Sequence, residues 1–274
     1  MKNFPLVTFL IAILIILVVS CKMESSIPNN TNQRPNLLVG AASNLEYIFT
    51  DMGIDFEKQT GDKVIFAFGS SGNLARQLEH GAKFDLYASA DPSYVEYLEN
   101  LGLVIPEGSS IFAQGLLVAI TFLGNEPHTS WEELALSDNV RFIAVANPSS
   151  APYGYQSLSM LQGSSIWQHI QEKIIITESA AQVVHLVSSR NADLGFTAQS
   201  LVQKNKPESI FIVPISSCSY SSLPQTISLI STSKNTEYAA DFLQFAKNWS
   251  SPFKLIEYGY SPNGNSSLRK ECTS

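Results

Sequence analysis

The sequence predicts an α/β protein built as two lobes around a cleft. Short apolar segments alternate with segments of helical periodicity, and the alternation runs in two series that divide near Gln114-Gly115. A last strand and helix near the C-terminus are too small to form a core alone, so they are expected to rejoin the first series. Such alternation puts parallel strands in a sheet covered by helices. Periodicity alone also fits one continuous doubly wound sheet with no cleft.

In the first series, Leu37 to Ala42 reads as a strand, and Ser43-Asn44 opens a helix with Leu45, Ile48, Phe49, Met52 and Phe56 on one face. Val64 to Phe68 is a second strand, Leu74 to Glu79 a helix, and Phe84 to Ala88 a third strand. The second series has strands at Leu116 to Phe122, Arg141 to Ala146, Ile174 to Thr177, Leu194 to Ala198 and Ile210 to Pro214, with helices at Gln156 to Leu161 and Ala181 to Ser188. Beyond a serine-rich stretch, Thr226 to Ser231 is a strand, and a helix follows with Tyr238, Ala239, Phe242, Phe245 and Ala246 inward. The expected lobes are residues 37–114 plus 224–274, and 115–223. Two crossings, near Gln114-Gly115 and Leu223-Pro224, form a hinge.

Residues 1–20 read as a secretory signal: Lys2, an uncharged apolar run from Phe4 to Val19, then Val18-Val19-Ser20-Cys21. The run is shorter than the ~20 residues that comfortably span a bilayer. Its end resembles a bacterial lipobox, which implies acylation of Cys21 and attachment to a lipid bilayer. An uncleaved N-terminal anchor is the alternative, and both leave the rest of the chain outside the cytoplasm at a membrane. Residues 21–36, rich in Ser, Asn, Pro and Thr, read as a flexible tether.

With 17 Lys and Arg against 24 Asp and Glu, the net charge is −7, and no basic cluster is present. A nucleic-acid partner is therefore not expected, because counterion release needs grouped cations. Of three cysteines, Cys21 is accounted for by lipidation, and Cys218 and Cys272 are expected to pair in an extracytoplasmic compartment, with two unrelated thiols as the alternative.

An enzyme is not predicted. Gly69-Ser70-Ser71-Gly72 has the wrong spacing for a nucleophile elbow, and no phosphate-cradling glycine loop follows a strand. His80, His128, His169 and His185 are scattered without metal-ligand spacing, so no bare metal site or cofactor is expected. Four helix starts instead stand out as rich in small and hydroxyl residues and free of Lys and Arg: 41–44, 69–73, 148–154 and 178–181. Unpaired N–H groups beside serine hydroxyls are the components of an oxyanion site. Any one of these serines is also explained as a helix cap.

The segments Leu38 to Asn44, Phe68-Gly69-Ser70-Ser71-Gly72-Asn73-Leu74-Ala75-Arg76, Phe84 to Asp91, Asn147-Pro148 with Ala151-Pro152-Tyr153-Gly154, and Asp193 to Ala198 together resemble the periplasmic molybdate-binding proteins of ABC importers. That resemblance implies the type II periplasmic-binding-protein fold, a molybdate or tungstate ligand, a monomer, and an ABC permease as partner. It places the ligand between Ser43 and Ser71 of one lobe and Ala151 and Ala180 of the other, with the alanines giving N–H only. Many members add a tyrosine hydroxyl where this chain has Ala198. Another branch has Asn and Tyr where this chain has Asn44 and Tyr153, which implies an extra backbone donor from Asn44 and the missing hydroxyl from Tyr153. The loss at Ala198 also leaves open a surface lipoprotein that keeps the fold for interaction or adhesion, and a binder of sulfate or phosphate remains a third reading.

Overall fold

A computed structural model describes residues 35–124 and 130–262. The expected signal segment, the acylated Cys21, most of the tether, His128 and Cys272 lie outside the described residues. Among those described, no helix is long and apolar enough to cross a membrane.

The chain forms two mixed sheets with helices on their faces. The first contains β1 (Leu37–Ala42), β2 (Val64–Gly69), β3 (Leu86–Ser89), β4 (Val104–Gly115), β10 (Pro224–Ile230) and β11 (Tyr260–Pro262), in the order β11-β4-β10-β3-β1-β2. The second contains β5 (Leu117–Thr121), β6 (Ile143–Ala146), β7 (Ile174–Thr177), β8 (Leu194–Ala198) and β9 (Phe211–Pro214), in the order β7-β6-β8-β5-β9. The strand after the serine-rich stretch therefore returns to the first sheet, and the chain crosses between lobes twice.

The sheets are not purely parallel, as the alternation alone suggests. β10 is antiparallel to both β3 and β4, and β5 is antiparallel to both β8 and β9. These are the two strands that begin at a crossing. Each enters its sheet from the end where the other strands leave, so its direction is opposite.

The helices are α1 (Glu46–Thr60), α2 (Ser71–Glu79), α3 (Pro92–Asn100), α4 (Trp131–Leu136), α5 (Pro152–Gly163), α6 (Trp167–Ile170), α7 (Ala180–Ser188), α8 (Thr236–Trp249) and α9 (Pro252–Glu257). Helix α1 buries Ile48, Phe49, Met52 and Phe56, the stripe set by its periodicity. Phe56 packs edge-on against Phe242 of α8 at 5.2 Å, which fixes the C-terminal helix on the first lobe. Sequence periodicity missed β4, α3 and the short elements α4, α6, α9 and β11. α3 is nonetheless signalled by Asp91-Pro92: the Asp91 carboxylate caps the Ser93 N–H, and Pro92 takes the first turn, where no donor is needed.

A buried aspartate ties neighbouring strands together in each lobe. Asp85, before β3, accepts from the Leu38 N–H at 2.8 Å and from Ser233 Oγ and Asn235 Nδ2. Asp193, before β8, accepts from the N–H groups of Arg141 and Phe142 at 2.8 and 3.1 Å and from the Arg141 guanidinium at 3.1 Å. Burial opposes ionisation of Asp193, but the Arg141 side chain and the two N–H groups outweigh it, so the carboxyl lies below its usual range. Replacing Asp193 by Ala is expected to cost about 1–3 kcal/mol in urea denaturation, because buried donors lose their acceptor. The depressed pKa sets the sign with pH. The stabilisation is complete above the ordinary carboxylate range and fades as pH falls through the lowered Asp193 value, so wild type and variant converge in acid.

Candidate functional site

Two neighbouring parallel strands in each lobe end level with one another. β1 and β2 finish with Ala42 opposite Gly69, and β6 and β7 with Ala146 opposite Thr177. Helical turns follow at Ser43 (a 3₁₀ turn, Ser43–Leu45), at Ser71, at Ala180 and, after residues 147–151, at Pro152. All four starts meet around one small cavity, walled by Ala42–Asn44, Gly69–Ser71, Ala90, Ala151–Tyr153 and Ala180. Ser43, Asn44, Ser71, Ala151, Tyr153 and Ala180 are thus brought together, and no wall residue carries a formal charge. The space open to the centre of a water molecule is about 10 Å³, close to the roughly 10–15 Å³ that holds one water. A larger hollow of about 820 Å³ beside Trp131, Met160 and Tyr220 is open to solvent and shares no residue with it.

The donors differ in kind at each start. At Ser43 no side chain caps the turn, so its leading N–H groups are left to the cavity. Ser71 Oγ accepts from the Ala90 N–H at 3.1 Å. A hydroxyl has a single proton, and that contact leaves it to donate elsewhere. Ser70 precedes α2 without capping it, and its Oγ is sealed from solvent with no partner. In the sequence Ser70 stands out only as part of the same hydroxyl-rich helix start and as a candidate cap, with Ser71 as the ligand residue. At α7, Ser179 Oγ accepts from the Gln182 N–H, which leaves Ala180 and Ala181 as uncapped donors.

Ala151 departs from expectation. Its N–H donates to the Asn147 carbonyl at 2.8 Å, so it is a wall residue whose donor is already engaged. Pro152 has no N–H, and the available donors of α5 are those of Tyr153 and Gly154. Gly154 has no room for a β-carbon above the Ala146 carbonyl, which lets the helix start sit directly on the end of β6.

Asn44 serves two directions. Its side-chain amide donates to Gln225 Oε1 at 2.6 Å and to Tyr260 Oη at 3.2 Å. Its carbonyl accepts from Tyr260 Oη at 2.6 Å and from Ser200 Oγ, on the other lobe, at 2.8 Å. What Asn44 presents to the cavity is its backbone. Burial pushes the Tyr260 hydroxyl far above its ordinary pKa, beyond the opposing effect of its Ser200 and Asn44 hydrogen bonds, so it stays a donor. Tyr153 forms part of the wall, but its Oη lies beside Gly115 and Gln225 at the crossings, sealed from solvent and unpartnered. Ala198 ends β8 fully buried, without a hydroxyl.

The lobes touch directly over the cavity. The Gly72 N–H donates to the Ser150 carbonyl at 2.8 Å, and Asn73 Nδ2 to Glu178 Oε1 at 3.3 Å. Lys204 of the second lobe pairs with Asp51 at 3.1 Å and Glu257 at 3.2 Å and accepts the Tyr258 ring beneath its ammonium at 4.1 Å. Cys218, in the second crossing, is disulfide-bonded. Among the described residues no group of three or more His, Cys, Asp or Glu side chains is placed to hold a metal ion.

Residues 37–252 match the family model for bacterial extracellular solute-binding proteins. The chain is 27% identical over 224 residues to the molybdate-binding protein ModA of Rhodobacter capsulatus, covering 82% of this chain and 87% of that one. It is 31% identical over 174 residues to ModA of Azotobacter vinelandii, covering 63% and 68%. The solved periplasmic molybdate-binding protein of Azotobacter vinelandii superposes with a TM-score of 0.74 at 27% identity, over 82% of this chain and 98% of that one.

A β-carbon at Gly72 would lie 2.9 Å from the Tyr94 ring and 3.0 Å from Ser150 Cα. Gly72→Ala is therefore expected to hold the lobes apart without unfolding either, seen as a larger radius of gyration in small-angle scattering at an unchanged melting temperature.

Proposed function

The chain belongs to the bacterial extracellular solute-binding proteins, and on that premise we propose that its cargo is a tetrahedral oxyanion, molybdate or tungstate, delivered to an ABC permease in the cytoplasmic membrane. The observation that carries this reading is the small, uncharged cavity at four helix starts. The proposed donors are the Ser43 and Ser71 hydroxyls with their N–H groups, the Asn44 N–H, the Tyr153 and Gly154 N–H groups, and those of Ala180 and Ala181. Ala151 closes the wall.

Neutral donors suffice if there are enough of them. A helix N-terminus contributes ~0.3–1 kcal/mol to a nearby anion when exposed and up to ~2 when partly buried, short of the ~8 kcal/mol of micromolar binding. Charge-assisted hydrogen bonds add about 1.5–3 kcal/mol net each, so five to seven, as a rough count, cover the balance and the cost of closing the lobes. Phosphate keeps a proton near neutral pH and needs an acceptor, which the N–H groups of the shell cannot supply and only the Ser43 and Ser71 hydroxyls could, by rotating. Sulfate is smaller than molybdate, so a shell adjusted to the larger ion bonds it less well. In the same reading, Cys21 is the acylated anchor that keeps the protein at the outer face of a membrane.

Calorimetry on the mature protein is expected to give one-to-one binding of molybdate and tungstate, with sulfate and phosphate weaker by at least about a hundredfold. Absence of heat with both metal oxyanions, from folded protein stripped of ligand, overturns the proposal. Ser43→Ala and Ser71→Ala should each weaken molybdate binding by roughly tenfold or more, the loss of one charge-assisted hydrogen bond. Cys21→Ser is expected to move the protein from the membrane fraction to the soluble one.

A further inference from the structure

The buried Tyr153 hydroxyl is left unused by the donor set above, although it stands on the helix that the proposed ligand would touch. Tyr153 is the second residue of α5 in the second lobe, and its side chain is 2% exposed. Its Oη reaches the crossings between lobes and occupies the space that a side chain at residue 115 would fill. A β-carbon on Gly115 would collide with Oη, and it would stand 3.0 Å from Tyr153 Cζ and 2.8 Å from Gln225 Nε2. Gly115 cannot give way easily. Its N–H donates to the Leu223 carbonyl of the other crossing at 2.8 Å, and it pairs with Tyr260 in the sheet. Gln225 is held away from it: its Oε1 accepts from Asn44 and its Nε2 donates to the Leu223 carbonyl at 2.7 Å, and its remaining proton and lone pair make no bond to Oη. The hydroxyl is therefore pressed into the hinge with nothing to bond to, in the arrangement where the lobes touch.

We infer that Tyr153 is a closure brake: its hydroxyl is dehydrated without compensation when the lobes close, so the unliganded protein is biased open, and anion binding must supply the difference. A buried hydroxyl that lacks a partner opposes the state that buries it, and opening the hinge lets water reach it. Gly115 is the matching element, because only glycine admits the hydroxyl at all. The brake makes closure report occupancy. A binding protein that closed unliganded would offer the permease an empty carrier, and a conformation that differs between the two states is what ligand can shift. Tyr153 acts here as a positioning residue through the hinge, beside the N–H that it is proposed to give the ligand. The inference rests on the oxyanion reading for its ligand but not for its unliganded behaviour.

Tyr153→Phe removes only the hydroxyl and keeps the ring in the wall. Small-angle scattering on protein stripped of ligand is expected to show a more compact Tyr153→Phe than wild type, and calorimetry is expected to show molybdate bound about three- to tenfold more tightly. Weaker binding by the variant, with unliganded dimensions unchanged, would overturn the inference and assign the hydroxyl to the ligand shell. Identical dimensions and identical affinity would overturn it as well. Gly115→Ala should resist closure even at saturating molybdate, and adding Tyr153→Phe to it should restore part of the compaction, because the hydroxyl collision is relieved while Gln225 Nε2 still has to shift. Failure of that rescue counts against the contact. Should wild type bind neither metal oxyanion, the scattering comparison on unliganded protein still decides the brake, so the two proposals fail separately.

Discussion

A doubly charged ion held without a cation needs several N–H and O–H donors converging on one point, and convergence is a property of the fold before it is a property of any residue. In this molecule it follows from strand register. Ala42 lies opposite Gly69 and Ala146 opposite Thr177, so each lobe ends two parallel strands at the same level and starts helical segments side by side. Parallel pairing is what makes the starts neighbours, since an antiparallel partner would send one of them to the far edge. The small residues that follow are then required by space. Gly72 and Gly154 bring backbone against backbone, where a β-carbon would force the elements apart.

The two reversed strands that begin at the crossings explain how this edge becomes a cleft. β5 and β10 begin at the crossings, while β1, β2, β6 and β7 end toward the cavity, so the hinge and the helix starts occupy the same side of both sheets. Signals between them therefore travel a short distance. Asn44 is the clearest junction: its backbone belongs to the first helix start, its amide grips Gln225 in the returning strand, and its carbonyl takes a hydroxyl from each lobe, Tyr260 and Ser200. A shift of the second lobe that withdraws Ser200 leaves that carbonyl with one donor fewer.

Much of this was legible in the sequence because the pattern that encodes it is local. The strand, small-residue turn and amphipathic helix of 37–56 and of 174–188 need only neighbours a few residues away, and the return of the last strand to the first lobe followed from core size. Strand direction was not legible, because β5 and β10 look like any apolar strand; only the path of the chain between lobes reverses them. β4 was missed because its inward and outward residues are interrupted by Pro106, Glu107 and Gly108, a composition that reads as a loop. At the site, residue types were legible and hydrogen-bond commitments were not. Ala151 and Ala180 look alike in sequence, yet the Ala151 N–H is consumed by Asn147 while Ala180 follows a serine cap and remains a donor. The direction of the Tyr153 side chain depends on Gly115, 38 residues earlier in the chain, and no local pattern carries it.

The absent hydroxyl at Ala198 is best understood against that background. A tyrosine there would act from the end of β8, in the second lobe, and alanine removes its hydroxyl. In this chain the nearby polar groups are instead committed inward: Thr197 Oγ1 donates to the Ala180 carbonyl at 2.8 Å, and Ser200 Oγ to Asn44. The Thr197 bond engages the carbonyl of the residue whose N–H is proposed to face the ion, which fixes the start of α7 against β8 and aligns the peptide groups behind it. The Ser200 bond does the same for Asn44 across the lobes. Each orients a residue whose main-chain donor is proposed for the ligand, and such a donor binds well when held within hydrogen-bonding distance and direction. Main-chain donors fixed in this way cannot rotate to accept a proton, whereas a tyrosine hydroxyl can. In the proposed donor set the Ser43 and Ser71 hydroxyls keep that freedom, so the loss at Ala198 leaves oxyanion capture possible and removes one of the groups that could accept from a protonated anion.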